Sequence, residues 1–300
     1  MLLNDFLKEG LQSLVPLYPV PEARNLLNML CEGLEGIKRY THIVEPEYEL
    51  SEAQAARLKD AAGRLAAGEP VQYVLGFAEF CGLRFRVPPA VLIPRPETEL
   101  LVSEAVKIGR RLQRMRTAFG RKAEPVRILD LCTGSGCIAW TLALSVPGSR
   151  VVGVDISDEA LAVAASQPFA ELMAERHAEA PAFVKADVLD TQQDFPYGPF
   201  DLILSNPPYI RPSEKAQMRV NVLGYEPHGA LFAPEDDALV FYRAIASWSR
   251  RLLSEDGKCL TEINEALGPE TRAVFRDAGF SQAEIVKDFY DKNRFIFYSN

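Results

Sequence analysis

Val126-Arg127-Ile128-Leu129-Asp130-Leu131-Cys132-Thr133-Gly134-Ser135-Gly136 is an apolar run that breaks into a glycine turn, and the apolar residues resume from Cys137 to Leu144. The first run, short and closed by turn residues, reads as a buried strand; the second continues as a helix. Strand, glycine turn and helix together make a nucleotide-type crossover. Glycine lets the backbone come close to a ligand, and the free N–H groups at the start of the new helix favour a carboxylate or phosphate. The spacing is neither Gly-x-Gly-x-x-Gly nor the Gly-Lys-Ser/Thr ending of a phosphate-binding loop, so neither a dinucleotide nor a triphosphate is indicated. About 20 residues on, a second strand, Arg150 to Val154, ends in Asp155, where an acid accepts hydrogen bonds from ribose hydroxyls. Alone, Asp155 would read as a helix N-cap. With the glycine turn it favours an adenosyl ligand.

Working outward, Ala182 to Ala186 reads as a third strand ending at Asp187, and Phe200 to Ser205 as a fourth that closes in Asn206-Pro207-Pro208-Tyr209. Residues before proline are pushed to extended backbone, so Asn206 and Pro207 are held stiffly at the carboxyl end of the strand. Ligands bind at that edge of an open α/β sheet. The proline carbonyls are acceptors, and Tyr209 offers a flat ring, so the four residues suit a planar NH2 group. A proline-rich turn is the plain alternative. Beyond a lid-like segment with Tyr225-Glu226-Pro227 and a loop around Asp236, a helix is expected over Leu239 to Leu253. A strand over Lys258 to Ile263 follows, then an antiparallel pair at Glu284 to Val286 and Arg294 to Tyr298. Strands alternating with helices define a doubly wound sheet.

Toward the N-terminus, Leu26, Leu27, Leu30 and Leu34 have helical spacing after a break at Pro19 and Pro21. Ser51 with Gln54 three residues on is a capping-box pattern opening Ala55 to Ala67, and Gly68 ends that helix. A small helical bundle over residues 1–75 serves equally well as a structural cap or as a holder of a macromolecular substrate. Phe77 to Val87, around Cys81-Gly82, reads as a hairpin. The prolines from Pro88 to Pro96 then stiffen a connection in which Arg95 and Glu97 are either a solvated turn or a pair lining a site, composition alone favouring the solvated turn. The expected domains are therefore 1–75, a hairpin and linker at 76–97, and the catalytic domain at 98–300. A helix beginning at Thr98 becomes basic through Arg110, Arg111, Arg114, Arg116, Arg121 and Lys122, usually a solvated face.

Composition narrows the function. Three hundred residues with 48% hydrophobic content can bury a substantial core. No stretch approaches the ~18 apolar residues of a membrane helix. Met1-Leu2-Leu3-Asn4-Asp5 lacks the features of a secretory signal, so a cytoplasmic location is expected. Five scattered cysteines without a Cys-x-x-Cys pair, and only three histidines (His42, His177, His228), indicate neither a disulfide framework nor a metal site. The net charge of −8 opposes an extended phosphate-binding surface.

Asp130 to Gly136, Asp155 and Asn206-Pro207-Pro208-Tyr209 resemble class I S-adenosylmethionine-dependent methyltransferases. More narrowly, Gly68-Glu69-Pro70-Val71-Gln72-Tyr73, Phe80, Leu92 to Glu99, Glu226-Pro227 and Asn293-Arg294 make nearly the whole chain similar to the release factor glutamine N5-methyltransferases. The resemblance implies a Rossmann-like, seven-stranded sheet with an antiparallel final strand, preceded by a helical domain. It also implies methyl transfer from S-adenosylmethionine to the glutamine amide in the Gly-Gly-Gln loop of peptide-chain release factors, leaving S-adenosylhomocysteine. The implied cofactor residues are Cys132, Thr133, Gly134, Ser135, Gly136, Asp155, Asp187, Val188 and Asn206. The implied substrate residues are Asn206, Pro207, Pro208 and Tyr209, of which Asn206, Pro207 and Tyr209 are catalytic. Two departures stand out. Cys132 replaces a common glycine and recurs in sister enzymes that methylate a ribosomal-protein glutamine, and Val188 stands where some relatives place an aromatic against adenine.

The chemistry agrees. An amide nitrogen is a poor nucleophile because its lone pair is delocalised. Accepting both of its hydrogens, through the Asn206 side-chain oxygen and the Pro207 carbonyl, would align it with a sulfonium methyl without a strong general base. The ribosomal-protein glutamine methyltransferases are one alternative. Adenine N6 methyltransferases, which use a similar Asn-Pro-Pro-aromatic motif, are another, and a release factor-binding adapter is the non-enzymatic one. A monomer with a protein substrate, no membrane and no direct nucleic-acid substrate is expected.

Overall fold

In the computed structural model, which describes residues 1–120 and 124–300, the apolar runs become strands. β1 (Phe77–Phe80) and β2 (Leu83–Arg86) form a hairpin. β3 (Val126–Leu131), β4 (Ser149–Asp155), β5 (Ala182–Lys185), β6 (Phe200–Ser205), β7 (Leu253–Glu262), β8 (Gln282–Lys287) and β9 (Asn293–Ser299) form one seven-stranded sheet in the order β5-β4-β3-β6-β7-β9-β8. Pairing is parallel from β5 to β7, and β9 lies antiparallel to both β7 and β8. The doubly wound sheet with its antiparallel final strand is therefore the expected fold.

β3 and β6 lie side by side at the centre and are buried almost throughout, as a parallel sheet covered on both faces requires. From them the chain winds outward both ways, through β4 to β5 and through β7, which puts the switch point between β3 and β6. Leu131 pairs with Val154 on one side and Ser205 on the other, and Ser205 pairs with Thr261. The strands thus end level, and Cys132, Asp155, Asn206 and Glu262 emerge along one edge. Below that edge the helix Val240–Leu252 buries Trp248 and Tyr242 completely, each contributing about 1.5–3 kcal/mol of apolar burial.

β7 begins at Leu253, well before the expected Lys258. Ser254-Glu255-Asp256-Gly257 has a turn's composition, but an irregularity between Phe200 and Leu202 lets Leu253 still pair with Phe200. In the basic helix, Thr98–Ala118, two of the arginines have internal work. Arg116 pairs with Asp201 at 2.6 Å, and Arg110 donates to the Ser145 carbonyl at 2.7 Å. Arg121 and Lys122 lie outside the described residues.

The chain divides into two units, Met1–Phe77 with Met218–Glu226, and Ala78–Gln217 with Pro227–Asn300. The first packs helices Leu3–Leu14, Val20–Glu35 and Glu52–Ala66 around Phe6, Leu27, Leu30, Leu58 and Leu65. Pro21 sits in the first turn of its helix, where the absent N–H is not needed. The Ser51 capping box forms, with Gln54 N donating to Ser51 Oγ at 3.2 Å and Ser51 N to Gln54 Oε1 at 3.0 Å. Much of the lid-like segment is a helix of this unit, Val220–Tyr225, held by the Tyr225 hydroxyl on the Ala67 carbonyl at 2.9 Å and by Arg219 on Glu22.

Candidate active site

After β3 the backbone turns sharply at Cys132, whose φ of +61° is unusual for a residue with a side chain. Thr133 N donates to Val154 O and Gly136 N to Thr133 O, both at 2.9 Å, which closes the turn against β4. Gly134 has φ +54°, and a Cβ there would meet nothing within 4 Å, so its backbone lies open. Gly136, with φ +78°, caps the helix Cys137–Ser145; a Cβ there would stand 3.0 Å from the Ala164 Cβ. The Asp155 carboxylate grips the turn, accepting Gly134 N at 2.9 Å and Ser157 N at 3.0 Å. Beneath it, wholly buried Asp130 accepts the Thr133 hydroxyl at 2.6 Å through Oδ2, while its Oδ1 meets no well-formed hydrogen bond among the described residues. Burial raises its carboxyl to about 7, and the nearby Asp155 adds to the shift.

The strand ends border a cavity of about 460 Å³. Of the expected cofactor residues, Cys132, Thr133, Gly134, Ser135, Asp155, Asp187, Val188 and Asn206 line it, and Gly136 does not. Pro208 lines it too; Pro207 is buried outside the lining and Tyr209 is half-buried beside the core. The Val188 carbonyl accepts Trp248 Nε1 at 2.9 Å, and Asp187 Oδ1 accepts Leu189 N at 2.9 Å, so the end of β5 is pinned from two directions.

The reading of Arg95 as solvated is overturned: it is half-buried and lines the cavity with Pro94 and Thr98. A Pro-Arg-Pro turn has the same composition whether it faces solvent or a cavity. Ile156 was missed as well. It lines the cavity while 61% exposed, and a large apolar side chain left open just after a strand-terminal acid was the available signal.

Asn206 stands at the head of a buried hydrogen-bonded chain. Its Nδ2 donates to Thr98 Oγ1 at 3.2 Å, Thr98 Oγ1 donates to Glu262 Oε2 at 2.7 Å, and the Tyr209 hydroxyl donates to Glu262 Oε1 at 2.9 Å. Burial raises the Glu262 carboxyl, against the pull of those two hydroxyls and of Arg294. Burial, then Glu262, drives the Tyr209 phenol well above its usual range and keeps it a donor. Asn264 Nδ2 holds the Tyr209 carbonyl at 3.1 Å and Glu214 at 2.9 Å. Sequence reasoning reached Asn206 and Tyr209 but neither Thr98 nor Glu262 as site residues.

These features fit an adenosyl group. Asp155 has acceptor capacity left for paired hydroxyls, and Ile156 and Val188 supply apolar walls for a planar base. Among the described residues, no group of three or more His, Cys, Asp or Glu side chains could hold a metal ion.

A methyltransferase domain model matches residues 122–297 and a PrmC N-terminal domain model residues 5–76. The chain is 38% identical to a release factor glutamine methyltransferase of Bacteroides thetaiotaomicron, covering 95% of each chain. It is 34% identical to one of Flavobacterium psychrophilum over 99% of this chain and 98% of that one. A third, from Chlorobaculum tepidum, is 36% identical over 92% and 90%.

Proposed function

The chain belongs to the release factor glutamine methyltransferase family, and from that membership we propose that it methylates the side-chain amide nitrogen, N5, of the glutamine in the Gly-Gly-Gln motif of peptide-chain release factors. The observation that carries this reading is the Asn206 amide, whose nitrogen is held by Thr98 so that its oxygen is left to accept a hydrogen. S-adenosylmethionine, when bound, supplies an electrophilic methyl on sulfur and leaves as S-adenosylhomocysteine.

The chain's own residues do the rest. Asp155 would hold the ribose hydroxyls of the cofactor, Val188 and Ile156 would flank its base with Asp187 beside them, and the turn Cys132-Thr133-Gly134-Ser135-Gly136 would hold its amino-acid end. Asn206 Oδ1 and the Pro207 carbonyl accept the two hydrogens of the substrate amide, and the Tyr209 ring bears on its plane. The amide then reacts because it is aligned, with the gain coming from positioning and preorganised acceptors. The N-methylated amide is cationic and strongly acidic, so it gives up one of its two hydrogens to solvent as a proton, and no residue has to act as a strong base.

The helical unit serves to recognise the release factor, with boundaries proposed at 1–75 for that domain, 76–97 for the hairpin and linker, and 98–300 for the catalytic domain. Because Met218–Glu226 packs with the helical unit, surface substitutions test this role more cleanly than deletion. The reading implies a cytoplasmic enzyme that works as a monomer.

The test is incubation with methyl-labelled S-adenosylmethionine and, separately, a release factor, ribosomal proteins and DNA. Label on the release factor glutamine is the expected result. Label confined to ribosomal protein or DNA would refute the proposal.

A further inference from the structure

We propose that Glu262 is a positioning residue for methyl transfer: through Thr98 it decides which end of the Asn206 amide faces the substrate, and through the Tyr209 hydroxyl it sets the Tyr209 ring. This inference rests on the amide-methylation reading above.

Glu262 is 1% exposed and does not line the cavity, so it acts only through its neighbours. It ends β7 one residue past Thr261, which pairs with Ser205, the residue before Asn206. Its two carboxylate oxygens take one hydroxyl each, from Thr98 at 2.7 Å and from Tyr209 at 2.9 Å. A hydroxyl has a single hydrogen. Since the hydrogen of Thr98 goes to the carboxylate, only lone pairs remain for Asn206, 3.2 Å away. Asn206 must therefore approach Thr98 with its NH2 end.

The direction of this chain decides what the cavity sees. A carboxylate only accepts, so hydrogens run from Asn206 to Thr98 to Glu262, and the Asn206 oxygen is left for a donor. A glutamine NH2 is such a donor. With the asparagine amide turned around, two NH2 groups would face each other and neither could bond. A donor in place of Glu262 would allow that reversal, because Thr98 could then give its hydrogen to the Asn206 oxygen. A buried carboxylate with both oxygens engaged thus converts a symmetrical-looking amide into a group of fixed polarity.

The test is single-turnover methylation of a release factor by the full-length protein at saturating substrate, with S-adenosylmethionine affinity measured for each variant. Glu262→Gln keeps the shape but can offer Thr98 either a donor or an acceptor. It is expected to slow methyl transfer by about tenfold, the scale of one lost hydrogen bond to a charged group, with cofactor affinity unchanged. In an Asn206→Ala, Tyr209→Phe background, where both groups through which it acts are gone, Glu262→Gln should add little or nothing. The same factor of loss in both backgrounds, or a normal rate for Glu262→Gln in the otherwise native protein, would overturn the proposal. If Glu262→Gln does not fold, Thr98→Val carries the cycle against Asn206→Ala, and Thr98→Ser should recover most of the lost rate. Near-normal turnover by Asn206→Ala alone would instead sink the amide-methylation reading, which keeps the two failures apart.

Discussion

The Tyr209 hydroxyl donates to Glu262 Oε1 at 2.9 Å in a setting where Glu262 is almost wholly buried. The phenol oxygen is therefore a structural donor, and the ring cannot be regarded as a stacking surface alone. Tyr209→Phe would leave a buried carboxylate short of one of its two hydroxyl partners, which costs about 1–3 kcal/mol. A fall of that size in urea-unfolding free energy is expected, together with slower methyl transfer. Wild-type stability and rate in Tyr209→Phe would mean that the bond is idle.

Asp155 has two tasks, since its carboxylate anchors Gly134 N and Ser157 N and also faces the cavity. Asp155→Ala removes the backbone anchors along with the ribose acceptors, and S-adenosylmethionine should bind about 10–100-fold more weakly, equivalent to about 1–3 kcal/mol. Asp155→Asn keeps one oxygen and should lose less. Calorimetry giving equal affinity for all three proteins would remove Asp155 from the cofactor site.

Cys132 adopts a left-handed backbone, which opposes a side chain by roughly 1–2 kcal/mol. Cys132→Gly lifts that strain but gives up the packing of the side chain against the core and loosens the unfolded chain. The net expectation is a change within about 1 kcal/mol of neutral, whereas Cys132→Val, β-branched at the same φ, should be clearly destabilised. Thermal melts of the two variants should separate them; equal melting temperatures would show that φ does not limit this position.

Asp130 gives a pH signature. Its carboxyl is raised from an ordinary value of 3.8 to about 7 when folded, so between those values the native state holds a proton that the unfolded chain has released. Stability from this group is therefore lost as pH rises through that window. The loss is fully developed above about pH 7, on the order of 4 kcal/mol. Asp130→Asn cannot ionise, so its stability relative to the native protein should climb from pH 4 to 7. A constant difference in denaturant titrations across that range would show that Asp130 does not titrate there.

Much of the fold and part of the site could be read from short stretches. A buried parallel strand announces itself by an unbroken apolar run, and its end by the breakers that follow, which is how Gly134, Asp155 and Asn206 were found. Composition could not distinguish a turn from a strand at Ser254–Gly257, or solvent from cavity at Arg95. Nor could it show that Met218–Glu226 belongs with the helical unit.

What the chain alone determined, then, is the order of strands and helices, the glycine turn, and the polar groups that close each strand, because each is set by the conformational preferences of residues a few positions apart. The tertiary structure alone decided how Asn206 is oriented. Its partner Thr98 lies 108 positions away, and Thr98 reaches Glu262 across 164. Such a bond exists only once β6 and β7 pair in register and the Thr98 helix begins beside them. A carboxylate in a strand sequence carries no mark of which hydroxyls will be brought to it.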